Sequence, residues 1–80
     1  MMPMPMQAAA VRVNSTLLAS VSYEAGAAVL QVEFRDASVY CYFGVPSDVY
    51  AELLAASSKG VYFNRRIRGC FPHAHLTRSG

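Results

Sequence analysis

Between Leu17 and Phe34 the apolar residues recur at every second position in two short runs, a dense β-branched and aromatic run follows to Phe43, and beyond Ser47 apolar residues recur at every third or fourth position. Side chains alternate between the two faces of a strand, whereas a helix returns to one face after three or four residues. A period that switches once in this way predicts a sheet first and helices second. The first run sets Leu17, Ala19, Val21 and Tyr23 against Ser20 and Ser22; the second sets Leu30, Val32 and Phe34 against Gln31 and Glu33; the third is Val39-Tyr40-Cys41-Tyr42-Phe43. The connections are short. Glu24-Ala25-Gly26-Ala27 contains a glycine able to take φ > 0, and Arg35-Asp36-Ala37-Ser38 is polar, so neighbouring runs are expected to pair antiparallel as a meander.

Gly44-Val45-Pro46 ends the third strand, and Ser47 with Asp48 offers a capping oxygen and a first-turn negative charge. Val49, Tyr50, Leu53 and Leu54 then share one helical face, which predicts a helix to about Ala56 packed on the sheet. Ser57-Ser58-Lys59-Gly60 breaks the pattern and caps a second helix. Within it Phe63 and Ile67 lie on one side while Asn64, Arg65 and Arg68 turn outward; Gly69 is placed to end it and Pro72 prevents resumption. The expected fold is α+β, a three-stranded antiparallel β-meander followed by two short helices packed on one face (β-β-β-α-α). Residues 1–12 read as a disordered Met/Pro/Ala leader, 13–71 as a single domain and 72–80 as a flexible tail.

This order of elements comes with a recognisable string of residues. Asn14-Ser15, Val21 with Tyr23, Val32-Glu33-Phe34, Val39-Tyr40 with Tyr42, Val45-Pro46, Val49-Tyr50, and Ser57-Ser58-Lys59-Gly60 with Tyr62-Phe63-Asn64 and Ile67-Arg68 resemble the KTSC domain. The similarity runs from Val13 to Phe71. That family takes its name from the C-terminus of certain lysyl-tRNA synthetases and has no settled activity, so the resemblance implies the fold and, through the synthetase, an association with RNA. One departure is the turn Glu24-Ala25-Gly26, where the family often carries Asp-Pro or Asp-Gly.

The chain is 54% hydrophobic and only 15% charged, which excludes general disorder. A domain of this length buries only about 60% of the surface its unfolded chain exposes, so added contacts, and hence a homodimer, are expected. Two cysteines, Cys41 and Cys70, are too few for a disulfide scaffold and read as reduced thiols. The opening residues make no convincing signal peptide, and polar residues interrupt every apolar run that might span a bilayer. The expected address is the cytoplasm, with no membrane partner.

Charge is distributed unevenly. Five of the seven cations lie between Lys59 and Arg78, and after Glu52 no acid occurs. The segment Lys59 to Arg68 mixes Lys59, Arg65, Arg66 and Arg68 with Tyr62 and Phe63, a combination suited to nucleic acid: the cations neutralise phosphates and an exposed ring stacks on a base. The expected nucleic-acid or anion site is therefore Ser58, Lys59, Gly60, Tyr62, Asn64, Arg65, Arg66 and Arg68, with Asn64 fixing orientation. The plainer alternative is that Phe63 and Ile67 are core and the arginines only solvate a short helix. Ser58-Lys59-Gly60, at the mouth of the helix, suits an anion but lacks the spacing of a P-loop. Tyr40 and Tyr42 form an aromatic sheet face that suits base stacking, ordinary core or a dimer contact.

Other chemistry is poorly supported by the residues present. Cys70, His73 and His75 are spaced C-x-x-H-x-H, which matches no known zinc finger, so no metal is expected. The histidines follow Pro72 near the end, away from a nucleophile and acid, and the five carboxylates form no evident pair. The chain thus reads as a small non-enzymatic binding domain without cofactor, an RNA- or nucleic-acid-binding accessory module. The alternative is a protein-interaction or homodimerisation module with no nucleic-acid role.

Overall fold

The computed structural model describes residues 10–76; the first nine residues of the expected leader and the last four of the expected tail lie outside the described residues. Among the described residues the architecture is α+β, as the periodicity predicts, but the antiparallel sheet has five strands instead of three, in the order β1-β2-β3-β4-β5. The central three are β2 (Leu18–Glu24), β3 (Val29–Phe34) and β4 (Val39–Phe43). The two extra strands form the edges: β1 (Val11–Arg12) pairs with β2, and β5 (His73–Leu76) pairs with β4. Two residues are too few to show a period, which is why β1 was invisible in the sequence. In β5 the alternation is present, but His73 and His75 take the places on the helix-bearing face, opposite Tyr42 and Tyr40, so a hydrophobicity pattern reads a polar tail.

The first run is shifted by a bulge. Leu18 pairs with Phe34 while Ser20 pairs with Glu33, so β2 advances two residues where β3 advances one. The extra residue lets Leu18 and Val21, three apart, both point inward, and each is essentially fully buried. Leu18, in place of Leu17, therefore supplies the core.

The helices are α1 (Ser47–Ala55) and α2 (Lys59–Arg66), and their buried residues join the core formed by one face of the sheet. Pro46, not Ser47, is the N-cap of α1; its carbonyl accepts from the Val49 and Tyr50 amides, and no side-chain cap bond forms. Ser58 caps α2 through its hydroxyl, which accepts from the Val61 amide at 3.4 Å. Gly69, at φ 80°, turns the chain away from α2 toward β5. The core contains Leu18, Val21, Leu30, Val32, Phe34, Tyr42, Leu53, Phe63 and Ile67, with Tyr23 and Tyr50 stacked beside it at 4.9 Å. Among the described residues no helix is long and apolar enough to cross a membrane.

Both hairpin turns place an alanine in the left-handed region: Ala28 has φ 56° and Ala37 has φ 75°. In the first turn it is Ala28, not Gly26, that takes the positive φ. A Cβ is disfavoured there, whereas glycine adopts such angles at no steric cost. Ala28→Gly and Ala37→Gly are each expected to stabilise the domain by about 0.5–1 kcal/mol, the gain being reduced by the added freedom of the unfolded chain. Thermal unfolding checks this: the midpoint should rise by a few degrees in each variant, since about 1 kcal/mol moves a domain of this size by roughly 4–8 °C.

Candidate functional site

Phe63 and Ile67 are completely buried, which fixes the roll of α2 about its own axis. Residues two positions from Phe63 must then face away from the sheet. Val61 is 51% exposed, and Arg65 is exposed beside it. Gly60 approaches the β1–β2 loop instead: a Cβ there would lie 3.4 Å from the Leu17 side chain and 3.6 Å from the Ser15 hydroxyl. That loop is held by the Ser15 hydroxyl, which accepts from the Leu17 and Leu18 amides at 3.1 and 3.2 Å. A Cβ at position 60 would thus make ordinary contact with the loop, so α2 sits within van der Waals reach of it.

Two adjoining clefts result, sharing Ser57, Ser58 and Val61. The first, of about 410 Å³, lies between the Asn14–Leu17 loop and the start of α2, and Lys59, Gly60 and Asn64 complete it. The second, of about 440 Å³, runs along the other flank of α2 and is lined by Tyr62, Arg65 and Arg66. Seven of the eight residues expected from the sequence, Ser58, Lys59, Gly60, Tyr62, Asn64, Arg65 and Arg66, therefore line one continuous surface around the first turns of α2. Val61, at its centre, was not singled out in the sequence, although its offset from Phe63 places it outward.

Arg68 is not part of this surface. It follows the end of α2, its guanidinium lies 5.6 Å from the centre of the Phe63 ring, and it lines another cleft, with Arg35, Asp36 and Tyr40, that meets the first only at Thr16 and Leu17. The four cations consequently do not form a single array. Tyr40 and Tyr42 do share a face, but it is the face that carries the helices. Tyr42 is buried with its ring edge-on to Phe63 at 5.4 Å, and Tyr40 is half-buried, stacked on His75 at 4.5 Å. Burial pushes the Tyr42 phenol up, with the Arg68 charge pulling back. Val39, Cys41 and Phe43 occupy the opposite face, which no helix covers among the described residues.

The cations of the α2 surface differ in freedom. The Lys59 ammonium donates to the Ala56 carbonyl at 2.9 Å, just past the end of α1. Arg66 lies over the Tyr62 ring at 5.6 Å and 4.0 Å from Glu52, with both charged side chains more than half exposed. Such a pair contributes little and is readily exchanged for another anion. The Tyr62 hydroxyl donates to Glu52 at 2.6 Å; desolvation and then this bond hold the phenol above its ordinary range. Arg65 has no acidic partner among the described residues. The surface is thus cationic and partly apolar, with Glu52 at its rim. Among the described residues no group of three or more His, Cys, Asp and Glu is placed to hold a metal; Cys70 directs its thiol toward the Arg65 carbonyl, while His73 and His75 lie on β5.

A family model described as the KTSC domain matches residues 14–71, a span that includes both clefts of the α2 surface. The chain is 39% identical over 64 residues to a lysine–tRNA ligase of Nostoc punctiforme and 46% identical over 55 residues to one of Trichormus variabilis, covering 80% and 69% of this chain. It spans only about a tenth of the length of those relatives, 11% and 10%. An uncharacterized protein of Stutzerimonas stutzeri is 38% identical over 69% of this chain and 78% of its own length. The crystal structure of a KTSC domain protein from Yersinia pestis superposes with a TM-score of 0.86 at 28% identity, covering 89% of this chain and all of that one.

If α2 is positioned by its buried face and not by its surface charges, the two kinds of contact must differ in worth. Glu52→Gln is expected to cost less than about 1 kcal/mol, because it removes only exposed interactions, whereas Phe63→Ala should cost about 3–5 kcal/mol. Urea unfolding of the two variants measures both; a larger loss in Glu52→Gln would show that the ion pair and the phenol bond hold the helix.

Proposed function

The chain belongs to the KTSC domain family, and from that membership together with the α2 surface we propose that it is a non-catalytic nucleic-acid-binding accessory module, with RNA the preferred ligand. The observation that carries the reading is the gathering of Ser58, Lys59, Gly60, Tyr62, Asn64, Arg65 and Arg66 along two adjoining clefts centred on exposed Val61. Lys59, Arg65 and Arg66 neutralise successive phosphates, with Arg66 leaving Glu52 for the stronger anion. Asn64 and Ser58 supply directed hydrogen bonds in the polar cleft, and Val61 with the Tyr62 ring offers apolar contact to a base. Lysine–tRNA ligases carry related segments, and an RNA-contacting accessory suits enzymes that handle tRNA. The chain itself performs no chemistry in this reading.

A second reading is favoured by one observation: the sheet face opposite the helices carries half-buried Val39 and Cys41 beside Phe43 and Leu76, which are 40% and 43% exposed. A homodimer or protein partner would use this face. The buried Tyr42 does not serve as such a contact, and Tyr42→Asp would strike the core.

One paired experiment separates the two. Retention of labelled single-stranded RNA is measured as salt rises, alongside sedimentation of the free protein. With about three phosphate contacts the logarithm of the binding constant should fall with a slope of roughly −2 against the logarithm of salt concentration. The double variant Arg65→Glu, Arg66→Glu should abolish retention at low salt and leave the sedimenting mass unchanged. Absence of RNA binding by the parent at low salt, together with a dimer split by Phe43→Lys, would replace the first reading with the second.

A further inference from the structure

Arg35 at the end of β3 and Arg68 after α2 are far apart in sequence, yet both line a cleft of about 360 Å³ beside the β3–β4 turn. We propose that this cleft is a second ligand site, taking the phosphate and base of a single nucleotide. The shared chemistry is a phosphate joined to a planar ring, whether from a free mononucleotide or from one unit of a bound strand. Where the source is a strand, the inference rests on the nucleic-acid reading above; its charged and aromatic residues are nevertheless different, only Thr16 and Leu17 lining both clefts.

Both guanidinium groups are oriented before any ligand arrives. Arg35 donates through Nε to the Ser15 carbonyl at 2.9 Å and through Nη2 to the Val13 carbonyl at 3.1 Å. A guanidinium has five donors, so most of its hydrogen-bonding capacity remains unused. Arg68 lies over the Phe63 ring at 5.6 Å, and neither arginine has an ion-pair partner within 4.0 Å among the described residues. The one acid at the cleft, Asp36, is occupied locally: a single carboxylate oxygen accepts from the Ser38 amide at 3.0 Å and the Ser38 hydroxyl at 2.6 Å. Two arginines against one internally bonded carboxylate leave the cleft cationic. A bidentate fork is the geometry that phosphate oxygens match.

The ring would be received beside the phosphate. Tyr40 lines the cleft, and His75 stacks on it at 4.5 Å with an interplanar angle of 11°. His75 does not line the cleft itself; it is exposed on edge strand β5, directly across from Tyr40 of the cleft wall. Its imidazole prolongs an aromatic row that continues through Tyr40 to Tyr42, and a base can extend the row by stacking. Thr16 and Ser38 add hydroxyls at the wall.

Titration of the isotopically labelled full chain with adenosine 5′-monophosphate, inorganic phosphate and single-stranded RNA, followed by amide resonances, tests the site. The monophosphate should shift the amides of Asp36, Ser38, Arg68 and His75 and leave Val61 and Asn64 unmoved. Inorganic phosphate should shift the amides nearest the arginines more weakly. Arg68→Ala should lower affinity for the monophosphate by about tenfold or more, the loss expected for a hydrogen-bonded charge, and Arg68→Lys by less; an unchanged remainder of the spectrum shows that the fold is kept. Arg65→Glu should leave monophosphate binding intact even where it abolishes RNA retention, so failure of the α2 reading and failure of this one are distinguishable. Weakened RNA binding in Arg68→Ala identifies the strand as the source, and unaffected RNA binding identifies a free nucleotide. No shift at the cleft with millimolar monophosphate, equal binding by Arg68→Ala, or shifts confined to α2 would overturn the proposal.

Discussion

The completely buried ring of Phe63 is the contact on which the rest of the surface depends. It meets Phe34 and Tyr42 edge-on, each at 5.4 Å, so α2 is held on the sheet by aromatic packing with a preferred geometry. Ile67, one turn later, is equally buried and prevents the helix from rolling. Once that roll is fixed, the rest follows from 3.6-residue geometry. Gly60 faces Leu17, Val61 and Arg65 face outward, and Tyr62 with Arg66 reaches Glu52 on α1.

The other end of the same packing explains which sheet face is covered. The faces of β4 differ as the alternation predicts, with Tyr40 and Tyr42 on one and Val39, Cys41 and Phe43 on the other, yet the pattern alone does not say which of them meets the helices. The larger rings fill the space beneath α2, and the histidines of β5 continue the same row. Histidine as an aromatic wall residue is the reason the fifth strand escaped a reading based on apolar character. The helices were easier to read because their stripes, Leu53 with Val49 and Tyr50, and Phe63 with Ile67, are strongly periodic. The bulge in β2 left no mark in a hydrophobicity pattern that holds Leu17 and Leu18 side by side.

The candidate site was legible to the same unequal degree. Residues within α2 stay together because one helix carries them. Arg68 separates from them because the chain leaves the helix before reaching it, and a count of cations along the sequence cannot register that change of direction. Its partner in space, Arg35, belongs to a hairpin turn and also clamps the β1–β2 loop, a pairing that no local pattern announces. The residues that carry the family resemblance, Asn14-Ser15, Ser57 to Gly60 and Asn64, line the cleft between that loop and α2. A shared constraint on helix docking and a shared binding surface would both bring them there.

Photo-crosslinking of single-stranded RNA to the full chain, with the modified residues located by mass spectrometry, bears on this distinction most directly. Crosslinks concentrated between Ser57 and Arg66 are the predicted result, since α2 presents its polar and cationic side to solvent. Crosslinks confined to Val39, Cys41, Phe43 and Leu76 would mean that the uncovered sheet face, and not the helix docked through Phe63, is the surface that meets the ligand.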